Sequence, residues 1–369
     1  MKVAILTLPL HANYGGILQA YALQTTLQRL GHDVEVLQKK SKYPWPTWKM
    51  NLIFIKRFFN KHIFHKSLEV FLEKRKNKEK VIAEQNTSYF IDQYINIRNI
   101  KFLDDILPSD YDVIIVGSDQ VWRKSYFCPT WGSKIKFAFL SFTKKWNIKR
   151  VAYAASFGTN NLSLYTKNDI KQCKKSIGAF DLVTVREYSG VKICKNFFNI
   201  ESKHVLDPTM LLEKNDYVNI VRRSGVPKSK GNMFCYILDP SIKKNSFIHK
   251  IEDVTDLSAF YISLEIGKQT VYPPVESWLR GFMDAEFIVT DSFHACVFAI
   301  IFEKPFVVIG NGERGMTRFE SLLKEFNLED RLILDTDSYD IHKLPKECHY
   351  EYREFKEACI NLLSASLNN

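Results

Sequence analysis

The chain alternates short apolar runs with longer stretches in which apolar residues recur at helical spacing. Residues 2–8 (KVAILTL) predict a buried strand, and the HANYGG segment after them predicts a glycine-containing turn. Residues 17–31 then have the pattern of a helix that ends at Gly31, and 33–37 predict a second strand. A strand, a helix and a strand in this order form a βαβ unit, whose crossover is right-handed in nearly all proteins.

The same alternation continues in two further groups of strands. Helical stretches separate them, for example at 167–177, 275–283 and 293–302. The predicted strands are 112–116, 150–155, 181–185 and 203–206 in the first group, and 233–238, 258–262, 286–290 and 305–309 in the second. This pattern predicts an α/β fold with two Rossmann-like lobes and an active site in the crevice between them.

The lobe boundary is expected in the LDPTMLL segment, where the chain leaves the first group of strands. The first lobe is predicted over 1–210 and the second over 211–345. A helix at 350–366, within a final segment 346–369, is expected to pack back across the lobes.

Length and composition agree with two globular lobes. A chain of 369 residues exceeds the usual size of one domain, and 46% hydrophobic with 25% charged residues excludes a disordered or fibrous protein. Polar residues and glycines follow the apolar start where a signal peptide would have its cleavage site, and no apolar run is long enough for a membrane-spanning helix. The seven cysteines are scattered without a C-x-x-C pair, which favours reduced thiols and a cytoplasmic protein without a structural metal.

The positive charge is concentrated in one segment. Residues 39–80 contain 13 Lys and Arg against 3 Asp and Glu, which leaves 39 against 38 in the rest of the chain. Aromatic and aliphatic residues alternate with these lysines, as in a helix that lies at a membrane surface. The segment is therefore either a peripheral helix with solvated lysines or a contact with the anionic inner face of the cytoplasmic membrane. Nucleic acid is not expected as a partner, because no recognition motif accompanies the charge.

Four predicted strands are followed by polar clusters, at 11–16, 117–122, 155–158 and 290–294. Ligands bind beyond the carboxyl ends of strands in open parallel sheets, and glycines there let backbone N–H groups approach an anion. A glycine turn also occurs where a helix merely packs closely, so each cluster is weak evidence alone. The candidate crevice residues are Asn13, Tyr14, Gly15, Gly16, Gly117, Ser118, Gln120 and Trp122.

Three residues are the main candidates for chemistry. Asp119 follows a buried strand, where it can either accept a proton from a hydroxyl group or cap a helix. Arg186 ends a strand, where its guanidinium can bind a carboxylate or phosphate, the alternative being an ion pair with Glu187. His294 begins an otherwise apolar helix and is either functional or a histidine of the core.

Two further arginines, Arg314 and Arg318, lie in the loop GNGERGMTR after the last long predicted strand. They are placed either to complete a clamp on an anion or to remain solvent-exposed. A D-x-D sequence in 335–340 is the kind of motif that a metal-dependent glycosyltransferase uses, but it lies in a predicted loop, and we expect no metal.

Six segments in this order resemble the polysaccharide pyruvyl transferase family: NYGGILQAYALQTTLQRLGHDVEVL, DVIIVGSDQVW, VAYAASFG, LVTVREYSG, LDPTMLL and TDSFHACVFAIIFEKPFVV. The resemblance extends from about residue 2 to residue 331. It implies the family's activity, in which phosphoenolpyruvate donates pyruvate as a cyclic ketal on two hydroxyl groups of a sugar. It also implies a two-lobed fold similar to the GT-B glycosyltransferase architecture.

The resemblance implies roles for single residues. Arg186, in V-R-E-x-x-S, matches the arginine that binds the donor, and His294 matches the histidine of the family's R-L-H motif. The arginine of that motif is replaced by Ser292, so either Arg314 or Arg318 supplies the missing charge or the donor is held differently. Further residues expected on the donor side are Ser156 and Gly158.

On this hypothesis protonated His294 donates its proton to the methylene carbon of the donor, and Asp119 accepts the proton of the attacking sugar hydroxyl. A second hydroxyl then displaces phosphate and closes the ketal, without a cofactor. The acceptor is expected to be a lipid-linked oligosaccharide. A nucleotide-sugar-dependent glycosyltransferase and a non-catalytic membrane-docking protein remain the alternatives.

Overall fold

The computed structural model describes residues 1–39, 47–63, 69–262, 271–310, 315–346 and 349–368. Two parallel β-sheets, of seven and five strands, form the centres of two lobes, so the predicted α/β fold with two Rossmann-like lobes is confirmed. Among the predicted features, Arg314 and the parts 40–46 and 64–68 of the basic segment lie outside the described residues.

The first sheet belongs to the first lobe. Its strands are β1 (Lys2–Leu6), β2 (Asp33–Lys39), β3 (Ile97–Ile100), β4 (Val113–Val116), β5 (Lys149–Ala155), β6 (Leu182–Val185) and β7 (Lys203–His204). Their order in space is β3-β2-β1-β4-β5-β6-β7, and all neighbours are parallel. The order changes direction between β1 and β4, so the loops that follow these two strands diverge and leave a crevice at the carboxyl edge.

The second sheet has the same kind of crevice. Its strands are β8 (Met233–Tyr236), β9 (Ala259–Phe260), β10 (Phe287–Thr290), β11 (Phe306–Ile309) and β12 (Leu332–Ile333). They are parallel in the order β12-β11-β10-β8-β9, and the direction changes between β8 and β10.

Thirteen helices in the described residues connect and cover the sheets. Strands such as β4, β10 and β11 are buried along their whole length, which explains why their sequences are continuously apolar. The helices are α1 (Tyr14–Arg29), α2 (Thr47–His62), α3 (Leu72–Ala83), α4 (Gln85–Tyr94), α5 (Lys124–Trp131), α6 (Lys167–Ile177), α7 (Tyr188–Ile193), α8 (Lys214–Ser224), α9 (Ile242–Val254), α10 (Val275–Asp284), α11 (Phe293–Ile301), α12 (Met316–Glu325) and α13 (Arg353–Asn368).

The start of the first helix differs from the prediction. Helix α1 begins at Tyr14 rather than at residue 17, because the Asn13 side chain caps it by accepting a hydrogen bond from the Gly16 N–H at 3.2 Å. Gly15 and Gly16 therefore belong to the first helical turn and not to a loop before it.

The lobes are held together by direct contacts. Helices α4 and α7 of the first lobe contact α10 and α12 of the second, and the C-terminal helix α13 packs back on β5 of the first lobe. The Tyr14 hydroxyl donates a hydrogen bond to the Pro273 carbonyl at 2.9 Å, which joins the first turn of α1 to the segment before α10. Within the described part of the chain, every helix is too short or too polar to span a bilayer.

Candidate active site

A cavity of about 610 Å³ lies where the carboxyl ends of the two sheets face each other. Loops that follow β1 and β4 form its first-lobe wall, and loops that follow β8 and β10 form much of the opposite wall. Its charged and polar lining includes His11, Asn13, Tyr14, Asp119, Gln120, Tyr126, Tyr236, Tyr272, Asp291, Ser292, His294 and Arg318. The two points at which the strand order changes direction therefore open into one shared space.

Arg186, at the carboxyl end of β6, lies buried beside this cavity with only 3% of its surface exposed. Its Nη1 donates a hydrogen bond to Asp207 Oδ2 at 2.8 Å, and its Nη2 is 3.6 Å from Asp119 Oδ1. Neither Nε nor Nη2 has a hydrogen-bond partner among the described residues. Buried donors are normally satisfied, so these two nitrogens lack the partner that their burial calls for, although Arg186 lies behind the residues that line the cavity. The ion pair with Glu187 considered from the sequence is replaced by the pair with Asp207.

His294 lines the cavity in the first turn of α11. Its Nε2 lies 3.5 Å from Arg186 Nη1 and 3.7 Å from Asp207 Oδ2. The pKa of His294 is lowered to about 4, chiefly because burial disfavours the charged imidazole; Asp207 acts in the opposite direction, and Arg186 adds to the lowering. The imidazole is therefore neutral near pH 7 when the cavity holds no anion.

Gly15, in the first turn of α1, lies directly against the His294 ring. A Cβ atom at this position would lie 2.1 Å from His294 Nδ1 and 2.2 Å from its Cγ, so no side chain fits between α1 and the imidazole ring. At Gly16 the nearest atom to such a Cβ would be the end of the Asn13 side chain, at 3.2 Å. The first glycine thus gives His294 its place between the lobes, and the second is under less constraint.

Arg318, in the first turn of α12, is the second buried guanidinium of the cavity. Both Arg186 and Arg318 lie over the ring of Phe293, with their Cζ atoms 4.8 and 5.1 Å from the ring centroid. Burial lowers the pKa of Arg318 to about 10, and it remains charged at neutral pH. Arg318 is one of the two arginines considered as a replacement for the arginine of the R-L-H motif, and the other, Arg314, lies outside the described residues.

The amino end of α11 also faces the cavity. Ser292 is its N-cap residue but makes no capping hydrogen bond with its side chain. Backbone N–H groups of an uncapped first turn, together with the helix dipole, favour an anion. Ser292 therefore lines the cavity at the amino end of this helix without capping it.

Asp119 lies in a tight loop after β4 with a positive φ of 58°. Its Oδ1 accepts a hydrogen bond from the Gln120 N–H at 2.8 Å, and no helix begins at this residue, so the helix-cap alternative is wrong. Thr7 and Gln19 hold the loop from below, since they contact the Ser118 carbonyl and N–H at 3.2 and 3.1 Å.

Glu187 organises the loop after β5. Its Oε1 accepts hydrogen bonds from the Ser156 hydroxyl and from the N–H groups of Phe157 and Gly158, at 2.8 to 3.1 Å. Ser156 and Gly158 are buried and, like Arg186, do not line the cavity itself, so their place on the donor side stays a prediction. Sequence reasoning could not separate the two arrangements, because both need small residues after a strand.

Three other predicted crevice residues belong to the interior. Trp122 is fully buried, stacks on Phe139 at 4.8 Å and donates its indole N–H to the Ala138 carbonyl. Gly117 packs against the Tyr153 backbone, and the Ser118 side chain is completely buried. These residues shape the loop that presents Asp119 and do not line the crevice.

Asp207 and Asp291 are site residues that the sequence analysis missed. Asp207 Oδ1 accepts hydrogen bonds from the Thr209 N–H and hydroxyl, which leaves Oδ2 for Arg186. Asp291 accepts from the Leu238 N–H at 2.6 Å and from the Lys244 ammonium at 2.6 Å, and so ties the loops after β8 and β10 together. The signal for Asp207 was its position in LDPTMLL, directly after the last strand of the first sheet.

Comparisons with known proteins agree with this architecture. The model of the family described as polysaccharide pyruvyl transferase matches residues 13–313 of the chain. Among solved structures, UDP-GlcNAc 2-epimerase from Neisseria meningitidis bound to UDP-GlcNAc is similar, with a TM-score of 0.50 and 9% identity over 100% of this chain and 99% of that chain. Another UDP-N-acetylglucosamine 2-epimerase has a TM-score of 0.51 and 12% identity over 98% and 95% of the two chains. No curated protein sequence matches the chain. At these identities the structural likeness concerns the fold alone.

Proposed function

The chain belongs to the polysaccharide pyruvyl transferase family, and on that premise we propose that it transfers pyruvate from phosphoenolpyruvate to two hydroxyl groups of a sugar as a cyclic ketal. The observation that carries the proposal is that two buried guanidiniums, Arg186 and Arg318, lie beside His294 between the lobes. Guanidiniums at fixed positions can orient an anionic donor against the imidazole, and transfer of a proton to carbon depends on that orientation.

The donor carries a carboxylate and a phosphate, and the cavity offers matching contacts. The Nε and Nη2 atoms of Arg186, which have no hydrogen-bond partner among the described residues, suit one anionic group in a bidentate arrangement. Arg318 and the uncapped first turn of α11 suit the other. A serine at position 292 is then sufficient where the family has an arginine, because the amino end of α11 and Arg318 supply the positive potential.

The first chemical step adds a proton and a hydroxyl across the donor's double bond. Protonated His294 gives its proton to the methylene carbon, which becomes a methyl group, and the sugar hydroxyl oxygen forms a bond to C2. Asp119 accepts the proton of that hydroxyl. The phosphate stays attached to C2 in the resulting intermediate.

The second step closes the ring. The neighbouring sugar hydroxyl attacks C2, the C2–O bond to phosphate breaks, and phosphate leaves with the electron pair. The proton held by Asp119 passes to the departing phosphate, and neutral His294 takes the proton of the second hydroxyl. Both side chains return to their starting states, so the cycle is balanced.

A smaller cavity of about 260 Å³ adjoins the main cavity and is the proposed binding site of the sugar. It lies on the first-lobe side and shares His11, Asn13, Asp119, Gln120 and Tyr126 with the main cavity. Asp119 is therefore in the common wall, where a base must lie if donor and acceptor occupy adjacent spaces. Amide and hydroxyl groups in this wall suit sugar hydroxyls.

The proposal keeps a lipid-linked oligosaccharide as the acceptor and the cytoplasm as the place of reaction, as the sequence predicts. The nucleotide-sugar alternative has support from the fold alone, since the similar solved structures are below 25% identity.

Ligand-induced thermal stabilisation tests the donor. In buffer with EDTA, phosphoenolpyruvate at about a hundred times its Kd should raise the melting temperature by roughly 3 to 5 °C, because only the folded protein binds it. Arg186→Lys should lose most of this shift, since an ammonium cannot bind an anion bidentately. Arg150→Lys, at a buried arginine bonded to Thr143 away from the cavity, is the matched control and should keep it. Stabilisation by UDP or UDP-GlcNAc in place of phosphoenolpyruvate would reject the proposal in favour of the glycosyltransferase.

A further inference from the structure

Helices α2 and α3, here called the hairpin, are the described helices of the basic segment and come between β2 and β3 in the chain. One face of α2 is covered, because Met50 and Phe54 pack with Val70 in a small cluster of their own. The Arg57 guanidinium, on the same side, pairs with Glu73 of α3 at 2.6 Å. The covered face of α2 thus has an apolar contact of its own with Val70, which lies just before α3, apart from the main hydrophobic cores.

The opposite face of α2 is apolar as well. Leu52, Ile55 and Phe59, here called the exposed stripe, are spaced by three and four residues and lie on one side of the helix. Their exposed fractions are 56%, 52% and 49%, and nearby Phe58 is 51% exposed. A run of large apolar side chains at helical spacing, exposed together, marks an interaction surface rather than scattered surface residues.

The charges around the stripe are unbalanced. The three acidic residues of 39–80 are all engaged, Glu73 with Arg57, and Glu69 and Glu79 with Arg75, at 2.6 Å each. Several exposed lysines have no ion pair within the described part of the chain. These lysines are Lys56, Lys61, Lys76 and Lys78. The segment 39–80 therefore presents an excess of positive charge, with 13 basic against 3 acidic residues.

We propose that α2 lies in the plane of an anionic lipid surface, with the exposed stripe in the boundary of the acyl chains and the lysines at the headgroups. The exposed stripe, with Lys56 at its border and further exposed lysines elsewhere in α2 and α3, matches such a surface in both polarity and charge. The inference rests on the hairpin alone and holds whether or not the proposed pyruvyl transfer is right.

The hairpin is also joined to the cavity. The Ala83 carbonyl at the end of α3 accepts a hydrogen bond from the Tyr272 N–H at 2.8 Å, and the Asn86 amide donates to the Tyr272 carbonyl at 2.9 Å. Tyr272 lines the cavity between the lobes. A lipid-bound hairpin would therefore fix the orientation of the cavity relative to the membrane.

Co-sedimentation with vesicles tests the inference on the full chain. Vesicles of equal parts phosphatidylcholine and phosphatidylglycerol should bind the protein at low salt, phosphatidylcholine alone should bind it far less, and raised salt should weaken the binding. Ile55→Ser with Phe59→Ser should weaken it by at least roughly 30-fold, through loss of apolar burial. Lys56→Gln with Lys61→Gln should weaken it by roughly tenfold or more.

Matched controls come from the rest of the first lobe. Phe102→Ser with Leu107→Ser removes two side chains that are 53% and 59% exposed, and Lys171→Gln with Lys174→Gln removes two exposed lysines of α6. Both controls should bind vesicles as the unaltered protein does. The inference is overturned if low-salt binding is absent, if the stripe variant binds normally, or if sedimentation without lipid shows that this variant turns a dimer into a monomer. The last result would identify the stripe as an interface between copies of the chain.

Discussion

At the scale of single residues, the cavity is not simply positive. The cationic side chains Arg186 and Arg318 are buried close to three buried acidic side chains, Asp119, Asp207 and Glu187. A donor with up to three negative charges gains little from such a balance unless a further positive charge appears. His294 is the group that can supply it, because an incoming anion next to the imidazole favours the protonated form.

Proton uptake on binding therefore tests the role of His294. With a pKa of about 4 in the donor-free cavity, His294 is unprotonated at pH 7, and the donor's charge should raise that pKa. Binding should then take up as much as about one proton, and affinity should fall as pH rises through the raised pKa. Calorimetry at pH 7 in buffers of different ionisation enthalpy measures this uptake.

The variant His294→Gln is the comparison for that measurement. It should bind phosphoenolpyruvate more weakly and lose the proton uptake, while any contribution from the donor's own phosphate remains in both proteins. Equal uptake in the variant would mean that another group is protonated and that His294 is not the acid.

Residue-scale prediction from sequence succeeded in part. The resemblance and the strand-end positions brought Arg186, Asp119 and His294 to one place, and the structure joins them within 3.6 Å through Arg186. Asp207 was missed because its contact with Arg186 depends on how two strand ends approach each other in space. Trp122 was misplaced because alternation of polar and apolar residues is ambiguous inside a tight loop.

At the scale of secondary-structure elements, helix α1 controls the position of the histidine. Gly15→Ala should displace the imidazole, because the new Cβ would overlap the ring, and turnover should fall by about 100-fold or more as when a general acid is removed. Gly16→Ala, in the same helical turn, would place its Cβ 3.2 Å from the Asn13 amide rather than against the imidazole, and turnover should fall far less than in Gly15→Ala.

Steady-state kinetics of the two glycine variants, with circular dichroism to show that both fold, makes the comparison. Equal loss in both would mean that the first turn of α1 tolerates no alanine for reasons unrelated to His294.

The predicted elements were mostly correct where the sequence is continuously apolar. The strand at 286–290 is β10 (287–290), and the strand at 305–309 is β11 (306–309). Strands β3 and β12 were not predicted, because β3 exposes two of its four residues and β12 has only two. Such edge strands carry no apolar run that a sequence pattern could reveal.

At the scale of the whole molecule, two sheets with different strand orders face each other at the points where each order changes direction. The two-lobed α/β fold and the family resemblance predicted from six motifs are both confirmed. The geometry of the crevice was not predictable, because it arises from contacts between residues far apart in sequence, such as Gly15 with His294 and Tyr14 with Pro273.

The most direct test is the product itself. The protein, phosphoenolpyruvate and lipid-linked oligosaccharides would be incubated in deuterated water with EDTA, and the glycans analysed by mass spectrometry together with released phosphate. The account predicts a glycan that gains the mass of pyruvate less one water, one phosphate for each ketal, and one deuterium in the ketal methyl group, all lost in His294→Gln. A glycan that gains a sugar from an added nucleotide sugar, with phosphoenolpyruvate unchanged, would contradict it.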